Sequence, residues 1–492
     1  MTDTSPEGKP PASASPKPLS LTSAIVPIAA LIVLVGLSYF FFGDEGALGP
    51  NQVALTVATM VAVYIGWRNG HSLESLRDAA VASVGSGIGA IFILFAVGAL
   101  IGTWAMSGTL IAMVYYGLQL LSPHYFYVTV CLICGLISAS IGSSWTTVGT
   151  IGIGFMGIAA NMELSAAITA GAVISGAYFG DTSSPLSDSA NLAAATSGID
   201  LYQHVRETAL TSGLALLVSA VVFFLLGRPG DFDATAKMEA IRSAFDLSLW
   251  LFLPLLVVIG LAVFRVPAFT AIMIGALTGG VLAVLMAPAR VIAFAGADAS
   301  MPNALLLVKG VWLALAEGYT SKSGHVALDQ LATRGGMDSM LNTVWLIITA
   351  LAFGGVIEKS GALERLMAPL VERIKSATAL VASTVGSVVA TNVATADHYI
   401  AIVIPGRMFK QSFAERRLPP HVLSRTIGAS GTPTGALVPW NSCGAYMAAT
   451  LGVATWSYLP YAVFCVVSPL LAIAVVALGI RSKASSTTPP PG

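Results

Sequence analysis

Charge is what this chain has least of. Its 492 residues include 24 Lys and Arg and 24 Asp and Glu, or 10% charged, where an ordinary soluble domain carries about 25%. Those four residue types normally cover a folded surface, so most of this exterior must face lipid. A water-soluble enzyme of this length does not fit that composition. The formal net charge of +0 provides no basic groove or stripe, and a nucleic-acid partner therefore has no electrostatic footprint. Cysteine is scarce too: four residues cannot make a disulfide framework. Cys131 and Cys134 form a C-x-x-C inside the apolar run 128–137, where i, i+3 spacing is ordinary packing on one helix face, and metal sites of this type usually need two such pairs. No H-E-x-x-H, G-x-S-x-G or Walker-type loop is present, so an intramembrane enzyme has no signature, and no cofactor is expected.

What the chain does have is apolar sequence, 55% of it. Residues 1–20 read as a disordered tail rich in Pro, Ser and Lys. The run 21–42 that follows is long enough to span a bilayer and too long for a signal-peptide core. The next connection carries Asp44 and Glu45 and no Lys or Arg, whereas Arg68 and Arg77 follow the second run, so the positive-inside rule places the N-terminus in the cytoplasm. Further runs predict eleven to thirteen crossings at about 20 residues each. The expected architecture is an all-α, multi-pass membrane protein. Its first transmembrane half is 21–227, its connecting loop 228–246, its second half 247–480, and 481–492 is a second disordered tail.

Two stretches break the lipid-facing pattern with Gly, Pro, Ser, Thr, Asn and Asp. One runs from Gly142 to Asn191, the other from Thr391 to Gly444. Sliding the first onto the second by 254 positions pairs Gly152 with Gly406, Pro185 with Pro439, Thr196 with Thr450 and Gly198 with Gly452. That pairing predicts an internal duplication. The acids do not superpose, since Asp397 meets Ser143 and Asp188 meets Ser442.

Prolines inside spans free backbone groups that hydrocarbon cannot satisfy, so Pro185, Pro405 and Pro439 predict broken helices around a polar site. Asp181, Asp188 and Asp397 would supply anionic oxygen there, because an ionisable residue at that depth is costly enough to imply a role. Asp181 could instead cap a helix. His398 could relay protons or be structural. Arg407 reads either as a headgroup anchor or as a clamp on a substrate carboxylate. Trp145, Tyr399 and Trp440 are expected to pack the site. With Ser184, Ser187, Asn191, Asn392, Asn441 and Ser442, the two stretches offer the carboxylate, carbonyl and hydroxyl oxygens that a hard cation prefers. The expected ligands of such a cation are Asp188 and Asp397, with protons competing for the same carboxylates.

The stretches Gly180-Asp181-Thr-Ser-Ser-Pro185-Leu-Ser-Asp188, Arg334-Gly-Gly336-Met-Asp338, Phe353-Gly-Gly355-Val-Ile-Glu358, Ile402-Val-Ile-Pro405-Gly406-Arg407 and Val438-Pro-Trp-Asn441-Ser-Cys443 occur in that order. Together they resemble the NhaC-type sodium/proton antiporter family of bacterial inner membranes, over nearly all of the chain between the tails. The resemblance implies a secondary transporter with two related halves, inverted with respect to one another. Its partners would be sodium and protons, or small carboxylates such as malate and lactate, within a lipid bilayer; a homodimer is a candidate assembly. The chain departs from the family pattern at Ser189-Ala190, where Thr-Thr is expected, at His398, where Gln is expected, and at Gly435-Ala436, where Ser-Pro is usual. These positions bear on the choice of ion or acid.

Overall fold

The computed structural model describes residues 19–227, 235–244, 247–296, 301–322, 329, 332–372 and 376–480. Almost all of both tails lies outside the described residues. Of the connecting segment 228–246, the ten residues Thr235–Ala244 form a helix.

The described residues fold into helices, with a single isolated bridge between Tyr319 and Arg334. A helix satisfies its own backbone polar groups, which is the requirement that lipid imposes. Among the described residues, six helices are long and apolar enough to cross a membrane: Leu21–Phe42, Ile88–Ser107, Leu201–Leu225, Ala268–Met286, Asp338–Lys359 and Ala377–Thr395. The pair Thr455–Tyr461 and Val463–Ala477, bent by 54°, makes a seventh. The larger number expected from apolar runs counted segments that fold as shorter pieces, such as Thr109–Leu120, Phe126–Ile141 and Asn303–Ala316. Large apolar side chains on the outer helix faces, among them Phe40, Leu217 and Leu285, stand exposed as lipid-facing residues do.

The polar stretches fall at helix breaks. Phe126–Ile141 ends at Gly142, in the left-handed region at φ 80°, and Ser143 caps the next helix by accepting a hydrogen bond from the Thr146 amide. Ala166–Ser183 breaks over 184–187, and Ser187 caps Asp188–Ser197. Each feature recurs 254 residues later. Ala377–Thr395 ends at Ala396, φ 57°, and Asp397 caps His398–Glu415. Pro420–Gly435 breaks before Asn441, which caps Ser442–Leu451. The half-helices Asp188–Ser197 and Ser442–Leu451 both stop at a left-handed glycine, Gly198 and Gly452. Even the unusual positive φ of Glu163 returns at Arg417.

Two of the three prolines lie in breaks. Pro405 does not: the His398–Glu415 helix runs through it, losing only the hydrogen bond that its missing N–H would have made. At the matching register, the earlier half carries a π-helical turn, Val148–Gly152. The helical ladder is loosened at one level by two different devices.

The breaks pack on one another. A Cβ on Gly142 would lie 2.5 Å from the Leu186 carbonyl carbon, and one on Gly444 would lie 2.0 Å from the Val438 oxygen, so only glycine fits at either place. The Ser442 amide donates to the Ala396 carbonyl at 2.9 Å, joining the two later breaks.

Candidate functional site

Where the breaks meet there is a cavity of about 310 Å³. Ser144, Asp188, His398 and Ser442, each the first residue of a helix that starts at a break, all line it. Four helix N-termini with their partial positive charge therefore point at one space.

The chain's own acids take up that charge. Asp397 accepts from the amides of Tyr399 at 2.7 Å and Ile400 at 3.1 Å, as the cap of its helix. Asp181, near the end of Ala166–Ser183, accepts from four donors on two other elements. One oxygen takes the Ser144 amide (3.2 Å) and hydroxyl (2.5 Å); the other takes the hydroxyls of Ser187 (2.6 Å) and Ser189 (3.1 Å). Asp188 is exposed on the cavity wall and makes no side-chain hydrogen bond among the described residues. Asp397 is buried. The His398 Nδ1 lies 3.2 Å from the Cys443 Sγ, across the third and fourth breaks.

Three carboxylates and one imidazole thus share a small cavity whose lining includes no Lys or Arg. Their oxygens are of the kind that hard cations and protons both seek, but among the described residues no three acid, histidine or cysteine side chains close on one metal position. Among the described residues, the cavity's lining offers no guanidinium or ammonium with which to neutralise a substrate carboxylate.

The expected residues divide into two groups. Asp181, Asp188, Asp397, His398 and Ser442 line the cavity. Ser184, Ser187, Asn191, Asn392 and Asn441 stand behind it as framework. The Ser184 hydroxyl accepts from the Leu186 amide, and the Asn191 side chain donates to the Ser187 carbonyl at 2.8 Å. Asn392 donates to the Gly431 carbonyl and the Thr434 hydroxyl, and receives the Asn441 side-chain amide at 3.0 Å, tying the third break to the fourth. Arg407 is exposed on the His398–Glu415 helix and is not among the lining residues.

Sequence reasoning gave no site role to Ser144, Tyr178 or the Ser86–Gly87 corner and met Ser189 only as a departure from the family pattern; all of them reach the cavity. Ser144 and Ser189 carried a readable signal, since each occupies the first turn of a helix starting at a break. The Ser86–Gly87 corner was hidden inside a glycine pattern that reads equally well as a helix-contact face.

The Na+/H+ antiporter family model matches residues 176–480. A protein of Haemophilus influenzae named as an uncharacterized Na(+)/H(+) antiporter is 35% identical, over 93% of this chain and 96% of that protein. The Na(+)/H(+) antiporter NhaC of Alkalihalophilus pseudofirmus is 36% identical over 88% and 90%. The malate-2H(+)/Na(+)-lactate antiporter of Bacillus subtilis is 34% identical over 90% and 91%.

Proposed function

From the premise that this chain belongs to the Na+/H+ antiporter family, we propose that it exchanges sodium for protons at the cavity formed by Asp181, Asp188 and Asp397. The observation that carries this reading is the charge of that cavity: three acids, one histidine and no Lys or Arg in its lining.

In this mechanism the roles of the acids differ. Asp181, held by four donors, fixes the first two breaks relative to one another. Asp397 keeps one oxygen on its helix amides and turns the other to the ion. Asp188, without an internal hydrogen bond among the described residues, is the group most available to sodium or to a proton. Protonated carboxylates cannot hold the metal, so the two cargoes exclude one another. Alternating exposure of the site then gives exchange. Lowering the pH should raise the apparent KM for sodium while the maximal rate at saturating sodium is retained.

The same reading takes 21–227 and 247–480 as halves related by duplication, supported by the recurrence of caps and left-handed residues at a separation of 254. It puts the chain in the cytoplasmic membrane with its N-terminus inside, supported by Arg68 and Arg77 opposite Asp44 and Glu45.

Everted vesicles test the assignment. Asp188→Asn and Asp397→Asn should each abolish sodium-driven proton movement, and wild-type-like exchange in both would reject it. The likeness to the malate and lactate exchanger supports a second reading, in which a small carboxylate is cargo and His398 its partner. Sodium-independent uptake of labelled malate would favour that reading.

A further inference from the structure

A second cavity, of about 480 Å³, lies close to the central one. Its position follows from the helix Leu341–Lys359. Near the start of that helix, the Asn342 carbonyl accepts from the Gln52 side chain at 3.0 Å, and Gln52 stands just after the turn Gly43–Leu48. Leu351, midway along, lines the central cavity. Asn342, Thr343 and Leu346, nearer the start, line the second. The second cavity therefore occupies the end of the molecule that bears Gly43–Leu48.

The two spaces share one wall. Ser442 and Cys443, in the first turn of the half-helix Ser442–Leu451, face the central cavity, whereas Ala445, Ala448 and Ala449 of the same helix face the second. Pro439, in the break before that helix, also lines the second. This wall is a short, largely buried helix between a broken connection and the left-handed Gly452, held by the Ser442 amide to Ala396, the Cys443 Sγ beside His398, the Tyr446 hydroxyl to the Trp145 carbonyl at 2.7 Å, and the Thr455 and Tyr458 hydroxyls to the Gly444 carbonyl, each at 3.4 Å.

The lining is mostly apolar, with one acid and a few neutral oxygens set among alanines and other small or aliphatic residues. Glu45, exposed, is the one formally charged residue of the lining, and Ser339, Asn342, Thr343 and Thr455 add neutral oxygens. The volume holds a cation together with several waters of about 30 Å³ each.

We propose that the second cavity is the route between the central site and the face bearing Gly43–Leu48, with Ser442–Leu451 as the barrier that moves to join them and Glu45 as the acid that gathers cations at its entrance. This rests on the reading of the central cavity as a cation site. The four native cysteines are buried, so the unsubstituted protein serves as the labelling control. In Ala449→Cys, a charged, membrane-impermeant methanethiosulfonate should label the new thiol from that face only. Saturating sodium should change the labelling rate about threefold by shifting the conformational population. Complete labelling should then slow sodium-driven proton movement at least about tenfold, because the moving element is jammed. Independently, Glu45→Gln should raise the apparent KM for sodium supplied on that face by about threefold, with the maximal rate retained, because local enrichment of the cation is lost. Exchange that survives complete labelling, or an unaltered KM in Glu45→Gln, overturns the route alone. Absence of exchange before any labelling rejects the cation reading itself and this proposal with it.

Discussion

The three acids differ most in how many protein groups hold them, and on the proposed reading that difference separates fold from transport. Asp181 accepts four hydrogen bonds from Ser144, Ser187 and Ser189. Amidation weakens charge-assisted bonds worth about 1.5–3 kcal/mol each while retaining part of the acceptor geometry, so Asp181→Asn should lose about 2 kcal/mol of stability. Thermal unfolding in detergent would register this as a clear fall in Tm. Asp188 makes no such bonds among the described residues, so Asp188→Asn should leave Tm near that of the parent, the change lying within about 0.5 kcal/mol, while abolishing exchange. A large loss of Tm in Asp188→Asn would mean that it is a framework residue instead. Arg407 is an exposed side chain outside the cavity, and Arg407→Ala should change the rate of sodium/proton exchange by less than about twofold, as surface substitutions do. The acids were legible in the sequence because charge is so rare there. Their ranking was not: the donors to Asp181 come from Ser144, 37 positions away, and from the next helix, and no spacing rule announces such a convergence.

At the level of single elements, the site depends on helices that stop and restart within a few residues. Gly142 shows what that requires. Its φ of 80° and the 2.5 Å approach of Leu186 leave no room for a Cβ, and the next two residues present the Ser143 cap and the Ser144 donor. Gly142→Ala should cost upwards of about 2 kcal/mol, from left-handed strain and the clash together. Loss of folded protein in fluorescence-detected size-exclusion chromatography would check it. At the matching position Ala396 already bears a Cβ at φ 57°. Ala396→Gly should therefore be tolerated, its relief of strain offset by the greater freedom of the unfolded chain. Breaks of this kind were legible from clusters of Gly, Pro, Ser and Asp in apolar surroundings. Pro405 shows the limit of the signal: a proline alone does not say whether a helix stops or merely loses one hydrogen bond, because the packing of neighbouring helices decides.

Across the whole molecule, the two polar stretches are joined directly. The rings of Trp145 and Tyr446 stack at 4.1 Å, 15° from parallel, and the tyrosine hydroxyl reaches the Trp145 carbonyl. A double-mutant cycle with Trp145→Leu and Tyr446→Leu should return a coupling energy of about 0.5–1.5 kcal/mol in thermal or denaturant unfolding; a value indistinguishable from zero would mean that the halves meet there without supporting one another. The class of the molecule and the recurrence at 254 residues could be read before any coordinates, since composition and register are linear properties. Which apolar runs fold as one long helix and which as shorter pieces could not be, because apolar runs do not reveal which of them bend, and the second cavity has no motif at all, being space left between alanines of one helix and the ends of others.

The first break is capped by Ser143 and its counterpart by Asp397, while Asp188 in the earlier half answers to Ser442 in the later one. The earlier stretch brings two acids to the chamber, Asp181 and Asp188, and the later one brings Asp397, none of them on matching rungs, so the fixed charge around the chamber is lopsided. On the proposed reading, the outward and inward legs of exchange therefore start from unequal electrostatics.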